Sequence, residues 1–353
     1  MSAKPIRLAD VAREAGVSHG TASNAFSRPE VVRDEVKERV FAAAQKLGYS
    51  GPDPRGRLLR AGKVNAIGVA TAEPLAYFFD DPFSRVVMSG ISQACDATGA
   101  GISLVSAANQ EQLAWNIQSA VVDGFIVFCI EGGSRLIELT RERKLPFVAL
   151  DYGFDDGTIA TIGVDDVDGA RRAARHLAEL GHRRFAVLSL ALADVAAGPV
   201  TWAQGAAAIY SGTRDRLRGY AEVLAEYGVD LATVPIYETD NDERTTHAGL
   251  ERIFATAEPP TAILAMSDKV ALHALDWLRA RGMTVPGDVS VVGFDGVPEG
   301  EASDPPLTTI IQPMREIGRR AVQTILGFDG AIRRELLDVE LAVRGSTAPP
   351  RGS

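Results

Sequence analysis

The chain has 353 residues, a formal net charge of −9 at pH 7 and 46% hydrophobic residues. This length and composition, without a low-complexity tract, predict a globular protein with more than one domain. The sequence has no apolar run long enough to span a membrane, and its first residues lack the apolar core of a secretory signal. We therefore expect a cytoplasmic protein.

The charge is divided unevenly along the chain. Residues 1–62 contain 11 Lys and Arg against 7 Asp and Glu, a net of +4, which leaves 26 against 39, a net of −13, for the remainder. A small basic module attached to a large acidic one can bind phosphates locally, while the acidic body limits nonspecific binding to nucleic acid.

The stretch LADVAREAGVSHGTASNAFS, residues 8–27, predicts two short helices around a tight turn. Gly16 stands where a left-handed residue ends the first helix, and Ser18 stands where an N-cap begins the second. Such a pair of helices is the unit that inserts its second helix into a DNA groove. A purely structural bundle is the alternative, but the charge and the turn chemistry together favour DNA binding.

Helical spacing predicts which side chains of this module form its core. The inward set consists of Leu8, Val11, Ala12, Ala15, Ala22, Ala25 and Phe26, and a third helix within RDEVKERVFAAAQKLGY adds Val36, Val40, Ala43 and Leu47. The second helix leaves an outer face that would meet a ligand: His19, Gly20, Ser23 and Asn24.

The segment SGPDPRGRLLRAGK predicts a linker, because its prolines and glycines cannot maintain a helix without a partner. With a partner, about two turns of helix could form, with arginines, Arg57 among them, placed for phosphates. Leu58 and Leu59 are the apolar residues available as a wedge in a minor groove.

The stretches IRLADVAREAGVSHGTASNAFS, VRDEVKERVFAAAQKLGY and PDPRGRLLRAG resemble the lactose repressor / galactose repressor family of bacterial transcription regulators. The resemblance implies a helix-turn-helix that reads half of a palindromic double-stranded operator, and a hinge that folds on DNA beside that of its dimer mate. By position, it assigns phosphate contacts or turn packing to Ser18, Thr21 and Ser23, base specificity to His19, Gly20 and Asn24, and the wedge to Leu59.

Two departures from the family pattern affect these assignments. One residue is inserted between Tyr49 and Pro52, so Leu58 remains an alternative wedge. Gly20 has no side chain with which to read a base, so specificity would depend on His19 and on Asn24, whose amide can pair with an adenine edge.

After residue 63, apolar strands alternate with amphipathic helices, which predicts parallel sheets covered by helices on both faces. The strand segments are NAIGVAT, GISLVSA, DGFIVFCI, LPFVALD, TIGVDD, RRFAVLSL, TAILAMSD and VSVVGFDG. The fold class is thus a small all-α helix-turn-helix domain joined to an α/β domain, which the resemblance identifies as periplasmic-binding-protein-like, with two three-layer subdomains.

We divide the chain accordingly. The DNA-binding domain takes residues 1–51, the hinge 52–62, and the effector-binding and dimerisation domain 63–346. Within the last, the N-subdomain takes about 63–162 plus 296–323, and the C-subdomain takes about 163–295 plus 324–346.

Three strands end in polar residues, where open α/β sheets bind ligands. Asp268 is interpreted as the N-cap of the next helix, whereas Asp151 and Asp295 fit either a ligand site or a cap. The resemblance implies an effector, usually a sugar or a purine, held by Asp151, Arg216, Ser267 and Asp295, and carboxylates with one guanidinium suit a polyol. Candidates for an apolar ring contact, or for simple core positions, are Phe79, Phe83 and Trp202.

The segment 190–213 is longer than a strand-to-helix connection requires, and we expect it to line or cover the cleft.

No arrangement of nucleophile, base or metal ligands is evident, so we expect neither an enzyme nor a cofactor or metal. Cys95 and Cys129 fit buried thiols. A transported-sugar binding protein is the rival reading of the large domain, but it should have a signal peptide and no helix-turn-helix. Without a heptad-bearing tail, we expect a homodimer. Whether the effector is an inducer or a corepressor stays open.

Overall fold

The computed structural model describes residues 6–51, 63–106, 110–128, 134–150, 157–193 and 196–351. Its internal contacts divide the chain into two compact units, Met1–Val64 and Asn65–Ser353. Within the described ranges, no helix combines the length and the apolar character needed to cross a membrane.

The first unit is a three-helix bundle. Its helices are α1 (Leu8–Glu14), α2 (His19–Ser27) and α3 (Asp34–Leu47), with a short 3-10 turn at Pro29–Val31. The buried core confirms most of the predicted inward set, with Val11, Ala12, Ala15, Ala22, Ala25, Val40 and Ala43, and it adds Ala44, which was not predicted. Alanines dominate this core, so the helices approach closely and little apolar area is needed to close it.

The second unit consists of alternating strands and helices. Its strands are β1 (Ala66–Thr71), β2 (Gly101–Ser106), β3 (Gly124–Phe128), β4 (Phe147–Leu150), β5 (Ala160–Val164), β6 (Phe185–Ser189), β7 (Gly198–Val200), β8 (Ile236–Glu238), β9 (Ala262–Ala265), β10 (Ser290–Asp295), β11 (Thr308–Ile311), β12 (Arg334–Leu337) and β13 (Glu340–Ala342). Each of the eight predicted strand segments contains a strand in its described part.

The helices of this unit are α4 (Tyr77–Asp80), α5 (Pro82–Thr98), α6 (Gln110–Ser119), α7 (Ser134–Glu142), α8 (Asp166–Glu179), α9 (Trp202–Ala206), α10 (Ser211–Glu226), α11 (Glu243–Phe254), α12 (Asp268–Ala280), α13 (Pro298–Ala302) and α14 (Met314–Leu326).

The strands form two sheets. The first is entirely parallel in the order β12-β5-β4-β3-β1-β2, and we call it and the helices packed on it lobe 1. The second has the order β13-β11-β10-β9-β6-β8-β7, with antiparallel pairing only at its two edges, and forms lobe 2. Strands such as β3 and β6 are buried along their whole length because helices cover both faces of each sheet.

The chain crosses between the lobes three times, as the predicted subdomain boundaries require, but two of the crossings lie later in the chain than predicted. β11 belongs to the second sheet although 296–323 was assigned to the N-subdomain, and β12 belongs to the first sheet although 324–346 was assigned to the C-subdomain. The assignments are therefore wrong for β11 and β12, whereas α14 packs on lobe 1 and β13 pairs in the second sheet, as predicted. The periodicity of four-residue strands is too short to show which sheet they join, and pairing over long sequence separations decides it.

Candidate DNA-binding surface and ligand cleft

The turn between α1 and α2 has the predicted geometry. Gly16 has a φ of +65°, and Ser18 is the N-cap of α2, accepting a hydrogen bond from the backbone N–H of Thr21 at 3.0 Å. From α3, the Arg39 guanidinium donates to the carbonyl oxygen of Ala15 at 2.5 Å. Side chains from two helices therefore hold this turn, which fixes the direction of α2.

The predicted outer face of α2 is open to solvent. Ser18, His19, Gly20 and Asn24 are exposed, and Thr21 and Ser23 are half-buried. The Thr21 hydroxyl lies 2.8 Å from the Ser18 hydroxyl, so this residue supports the turn as well as facing outward. On the opposite face, the Phe26 ring packs edge-on against the rings of Phe41 and Tyr49.

Several predicted residues lie outside the described part of the chain. They are Arg57, Leu59 and the alternative wedge Leu58 in the predicted hinge 52–62, together with Asp151 and Cys129.

In the second unit, Arg216 is buried where strand ends of lobe 2 converge. Its Nε donates to Asp166 Oδ1 at 2.7 Å, another guanidinium nitrogen donates to the carbonyl oxygen of Met266, and its carbon lies 3.8 Å from the centre of the Phe294 ring. The side chains of Arg216 and Asp166 are 4% and 10% exposed. A buried ion pair with these extra contacts holds the guanidinium in one orientation.

Ser267 connects this region to lobe 1 through a chain of polar groups. It is the N-cap of α12, accepting from the backbone N–H of Val270 at 3.1 Å, and its hydroxyl donates to Asn241 Oδ1 at 2.7 Å. The amide nitrogen of Asn241 donates to Asp81 Oδ2 at 3.3 Å. Asp81 is the N-cap of α5 in lobe 1, so Asn241 spans the cleft between the lobes.

Asp295 and Asp268 form a buried carboxyl pair beside this bridge. Asp295 Oδ1 accepts from the Gln312 amide at 2.8 Å, and Asp295 Oδ2 accepts from the backbone N–H of Asp268 at 3.2 Å. Asp295 has a φ of +138°, which is strained for a residue with a side chain and is typical of functional positions. Asp268 is not an N-cap, because Ser267 fills that role.

The carboxylate of Asp268 holds the turn that follows β10. Its Oδ2 accepts from the backbone N–H groups of Gly296 and Val297, both at 2.8 Å, and its Oδ1 accepts from the Thr309 hydroxyl at 2.5 Å. Three hydrogen bonds of this kind favour the charged form. Asp268 is therefore committed to structure, and Asp295 is the member of the pair more available to a ligand.

Burial raises the pKa of both carboxyls, that of Asp268 to about 6 and that of Asp295 well above its ordinary value. The charge of Asp268 raises the pKa of Asp295 further. Because Asp268 has the hydrogen bonds that favour an anion, a proton shared by the pair resides on Asp295.

Phe83 and Trp202 differ in their relation to this cleft. Phe83 is half-buried in the first turn of α5, two residues after Asp81. Trp202 follows β7, which runs antiparallel to β8, and its Nε1 donates at 2.9 Å to the carbonyl oxygen of Leu231, before the start of β8. The structure therefore places Trp202 toward the other end of the sheet from the strand ends, and its prediction as an effector contact is wrong.

The segment 190–213 forms β7 and α9 in its described part. β7 adds an edge strand beside β8, and the backbone N–H of Leu192 donates to Glu238 Oε1 at 2.8 Å at the end of β8. The extra length thus builds part of lobe 2.

Sequence reasoning missed two residues of the cleft, Asp81 and Asn241. Asp81 precedes Pro82, a pattern that indicates a helix start and its cap but not a ligand contact. Asn241 has a positive φ of 54° in a polar loop, and nothing in that loop predicts a contact with a residue 160 positions away. Asp166 is the first residue of α8, and no local pattern there predicts its ion pair with Arg216.

Comparisons with known proteins agree with this architecture. Residues 7–51 match the profile of bacterial regulatory proteins of the lacI family, and residues 174–347 match a periplasmic binding protein-like domain. An HTH-type transcriptional regulator of Mycobacterium tuberculosis is 38% identical over 360 residues, covering 99% of this chain and 99% of the relative.

Two solved structures are similar over nearly the whole chain. The lac repressor dimer bound to operator and the anti-inducer ONPF has 25% identity and a TM-score of 0.77, covering 98% of this chain and 100% of that one. The complex of the transcriptional regulator CelR with cellobiose has 26% identity and a TM-score of 0.69, covering 97% and 100%. The chain therefore belongs to the lacI family of bacterial regulatory proteins, a family of helix-turn-helix transcription regulators and not of enzymes.

Proposed function

We propose that this regulator binds a palindromic operator as a homodimer, and that a small sugar-like polyol in the cleft between its lobes changes its operator affinity. The observation that carries the proposal is the convergence of Arg216, Ser267 and Asp295 at the strand ends, in a chain that also exposes the outer face of a helix-turn-helix.

The DNA half of the proposal depends on α2. Its exposed His19 and Asn24 can reach base edges in a major groove. The Ser18 and Thr21 side chains lie at the start of the helix, where they can contact the phosphate backbone of the DNA. A nine-residue helix reads only a few base pairs, so specificity requires two copies, and a two-fold dimer requires a two-fold site.

Exposed apolar side chains on lobe 1 support the homodimer. Ile102 on β2 is 36% exposed, Trp115 on α6 is 72% exposed, and Val121 after α6 is 61% exposed. β2 is also an edge strand, whose outer side has no neighbour among the described strands. Exposed apolar groups next to a sheet edge are typical of a surface that another protein covers.

The effector half depends on the number of oxygen acceptors around the cleft. Asp81, Asn241 and Asp295 offer carboxylate and amide oxygens, and Ser267 offers a hydroxyl. Such a set suits a ligand with many hydroxyl donors. The cellobiose bound by the similar regulator CelR is a ligand of this kind.

Selection of binding sites from random DNA by the full chain tests the DNA half, and we expect a palindromic consensus. Titration of that operator in the presence and absence of each compound in a panel of sugars and cyclic polyols tests the effector half. Absence of enrichment, or enrichment of non-palindromic sites alone, would contradict the DNA half of the proposal. An operator affinity that no compound changes would contradict the effector half.

A further inference from the structure

Four of the described helices that begin beside the cleft have carboxylates at their N-termini. In lobe 1, Asp81 caps α5; in lobe 2, Asp165 caps α8 and Asp242 caps α11, and Asp268 is the first residue of α12. These helices are 12 to 17 residues long. The partial positive charge at each N-terminus is therefore already balanced by the protein itself.

These caps use the donors that an anionic ligand would need. The carboxylate of Asp81 accepts from the backbone N–H of Ser84 at 2.9 Å, and that of Asp242 accepts from the N–H of Thr245 at 2.8 Å. Phosphate groups bind proteins most readily at the free N–H groups of a helix N-terminus. At α5 and α11, a phosphate would meet a carboxylate instead.

The cations near the cleft are also engaged. Arg216 is paired with Asp166, and Arg214 lies 3.7 Å from Asp215. Burial raises the pKa of Asp81, and the charge of Lys269, half-buried in the first turn of α12, opposes this rise, so Lys269 acts on a carboxylate too. α10 and α14 are exceptions among the described helices near the cleft, since both begin without a side-chain cap, and their N-termini are the places there that suit an anion.

Asp81 and Asn241 are hydrogen-bonded across the cleft, and the acceptor oxygen of Asp81 in this bond could instead accept from a ligand. Asp81 is 3% exposed, and its Oδ2 is held by the Asn241 amide at 3.3 Å, the longest contact in the bridge from Asp81 to Ser267. A ligand hydroxyl that donates to Asp81 Oδ2 can replace this contact with a shorter, charge-assisted hydrogen bond. A phosphate or carboxylate at the same place brings two anions together in a poorly solvated site.

We propose that Asp81 and Asn241 contact the effector from opposite lobes and make the cleft select an uncharged, hydroxyl-rich compound over its phosphorylated counterpart. This inference rests on the proposed function, because it requires that the cleft binds an effector. It adds the charge class of the ligand and two residues that determine it.

The test compares matched pairs on the full chain by calorimetry, with operator titration as a second readout. The probes are glucose and glucose 6-phosphate, ribose and ribose 5-phosphate, and myo-inositol and myo-inositol 1-phosphate. We expect the uncharged member of any pair that binds to bind at least tenfold more tightly. Asp81→Asn keeps an N-cap residue but removes the charge, and should reduce that ratio by about tenfold.

The matched control is Asp80→Asn, the same change at the neighbouring exposed carboxylate, which should leave the ratio unchanged. Asn241→Asp tests the same point in the opposite direction, because an added carboxylate should enlarge the ratio of the affinities for the uncharged and the phosphorylated compound. This variant keeps the inference testable if Asp81→Asn does not fold. Tighter binding of a phosphorylated member by the unaltered chain, as at the start of α10, overturns the inference and leaves the proposed function standing. Binding of no compound overturns the proposed polyol effector, and the inference with it.

Discussion

Asn24 lies on the exposed face of α2, where a direct base contact and a phosphate contact have different consequences. If its amide pairs with a base edge, Asn24→Ala should cost about 1–3 kcal/mol at one base pair and relax the preference there. Operator variants with single base changes, titrated with both proteins, measure this. Ser27→Ala is the control on the same helix, because the Ser27 hydroxyl donates to the carbonyl oxygen of Ser23. An equal loss of affinity for every operator variant would show that Asn24 contacts the phosphate backbone of the DNA and not a base.

Asp295 should control the response to effector without affecting DNA binding. Asp295→Asn retains an oxygen that accepts from Gln312 but replaces the second carboxyl oxygen, which could bond a ligand hydroxyl, with an amide nitrogen that cannot accept, so the effector-induced change in operator affinity should disappear. Operator affinity without effector should stay within about twofold, since a ligand acts only through its differential affinity for two states. A large loss of operator affinity together with a lower melting temperature would mean that Asp295 supports the fold instead.

The same carboxyl pair predicts a pH dependence of stability. The pKa of Asp268 is raised to about 6 and that of Asp295 is raised well above its ordinary value, so the folded state binds more protons than the unfolded state. Their contribution is fully present below the unfolded pKa and is lost as the pH rises through the folded values. Asp295→Asn should therefore gain stability relative to the parent chain between about pH 5 and pH 8, in denaturant unfolding at each pH. A constant difference over this range would contradict the raised pKa values.

Substitution of Arg216 is a less direct probe of the ligand site, because it leaves the charge of Asp166 buried without its partner. Arg216→Ala removes the ion-pair partner of Asp166 and should lower the free energy of unfolding by about 3–5 kcal/mol. The double variant with Asp166→Asn should recover much of this loss, because the remaining side chain is uncharged. Denaturant unfolding of both single variants and the double variant measures the coupling, and additive losses would show that the pair is not the cause.

At the scale of elements, the crossing of α5 and α14 depends on two glycines. A Cβ built on Gly90 would overlap the backbone carbonyl of Arg315, and one built on Gly318 would overlap the carbonyl of Val87. Because both obstacles are backbone, neither can move aside without separating the helices. Gly90→Ala should therefore destabilise the chain by about 1–3 kcal/mol or more, despite the better helix propensity of alanine. Gly101→Ala, whose nearest neighbour is at 3.8 Å, is the control for thermal unfolding. Equal melting temperatures for the two variants would refute the close crossing.

The elements that the sequence predicted well are those with a local cause. The turn at Gly16 and the cap at Ser18 follow from backbone chemistry within a few residues, and strands such as β6 and β10 follow from apolar runs bounded by turns. The convergence of Ser267 and Asp295 follows from their positions at strand ends. In contrast, the sheet that β12 joins and the bridge from Asn241 to Asp81 depend on tertiary pairing, which no local pattern contains.

At the scale of the whole molecule, binding to DNA should depend on association of two chains through lobe 1. Trp115 exposes 72% of its surface on α6, which is a large apolar area to leave in water unless a second copy covers it. Trp115→Glu should place a charge in that interface and shift the chain from dimer to monomer, which light scattering over a range of concentrations measures.

Val343→Glu is the matched control, because Val343 is an exposed apolar residue, 58% accessible, that follows β13 in lobe 2. If lobe 1 forms the interface, Trp115→Glu should lower the affinity for a full palindrome by at least about tenfold while leaving the weak affinity for a half-site unchanged, because each α2 still reads its own half. Val343→Glu should bind both DNAs as the parent chain does. A Trp115→Glu variant that remains a dimer would place the interface elsewhere. A monomeric parent chain that binds the full palindrome tightly would contradict the homodimer itself, since only a contact that holds two reading helices together links self-association to operator affinity.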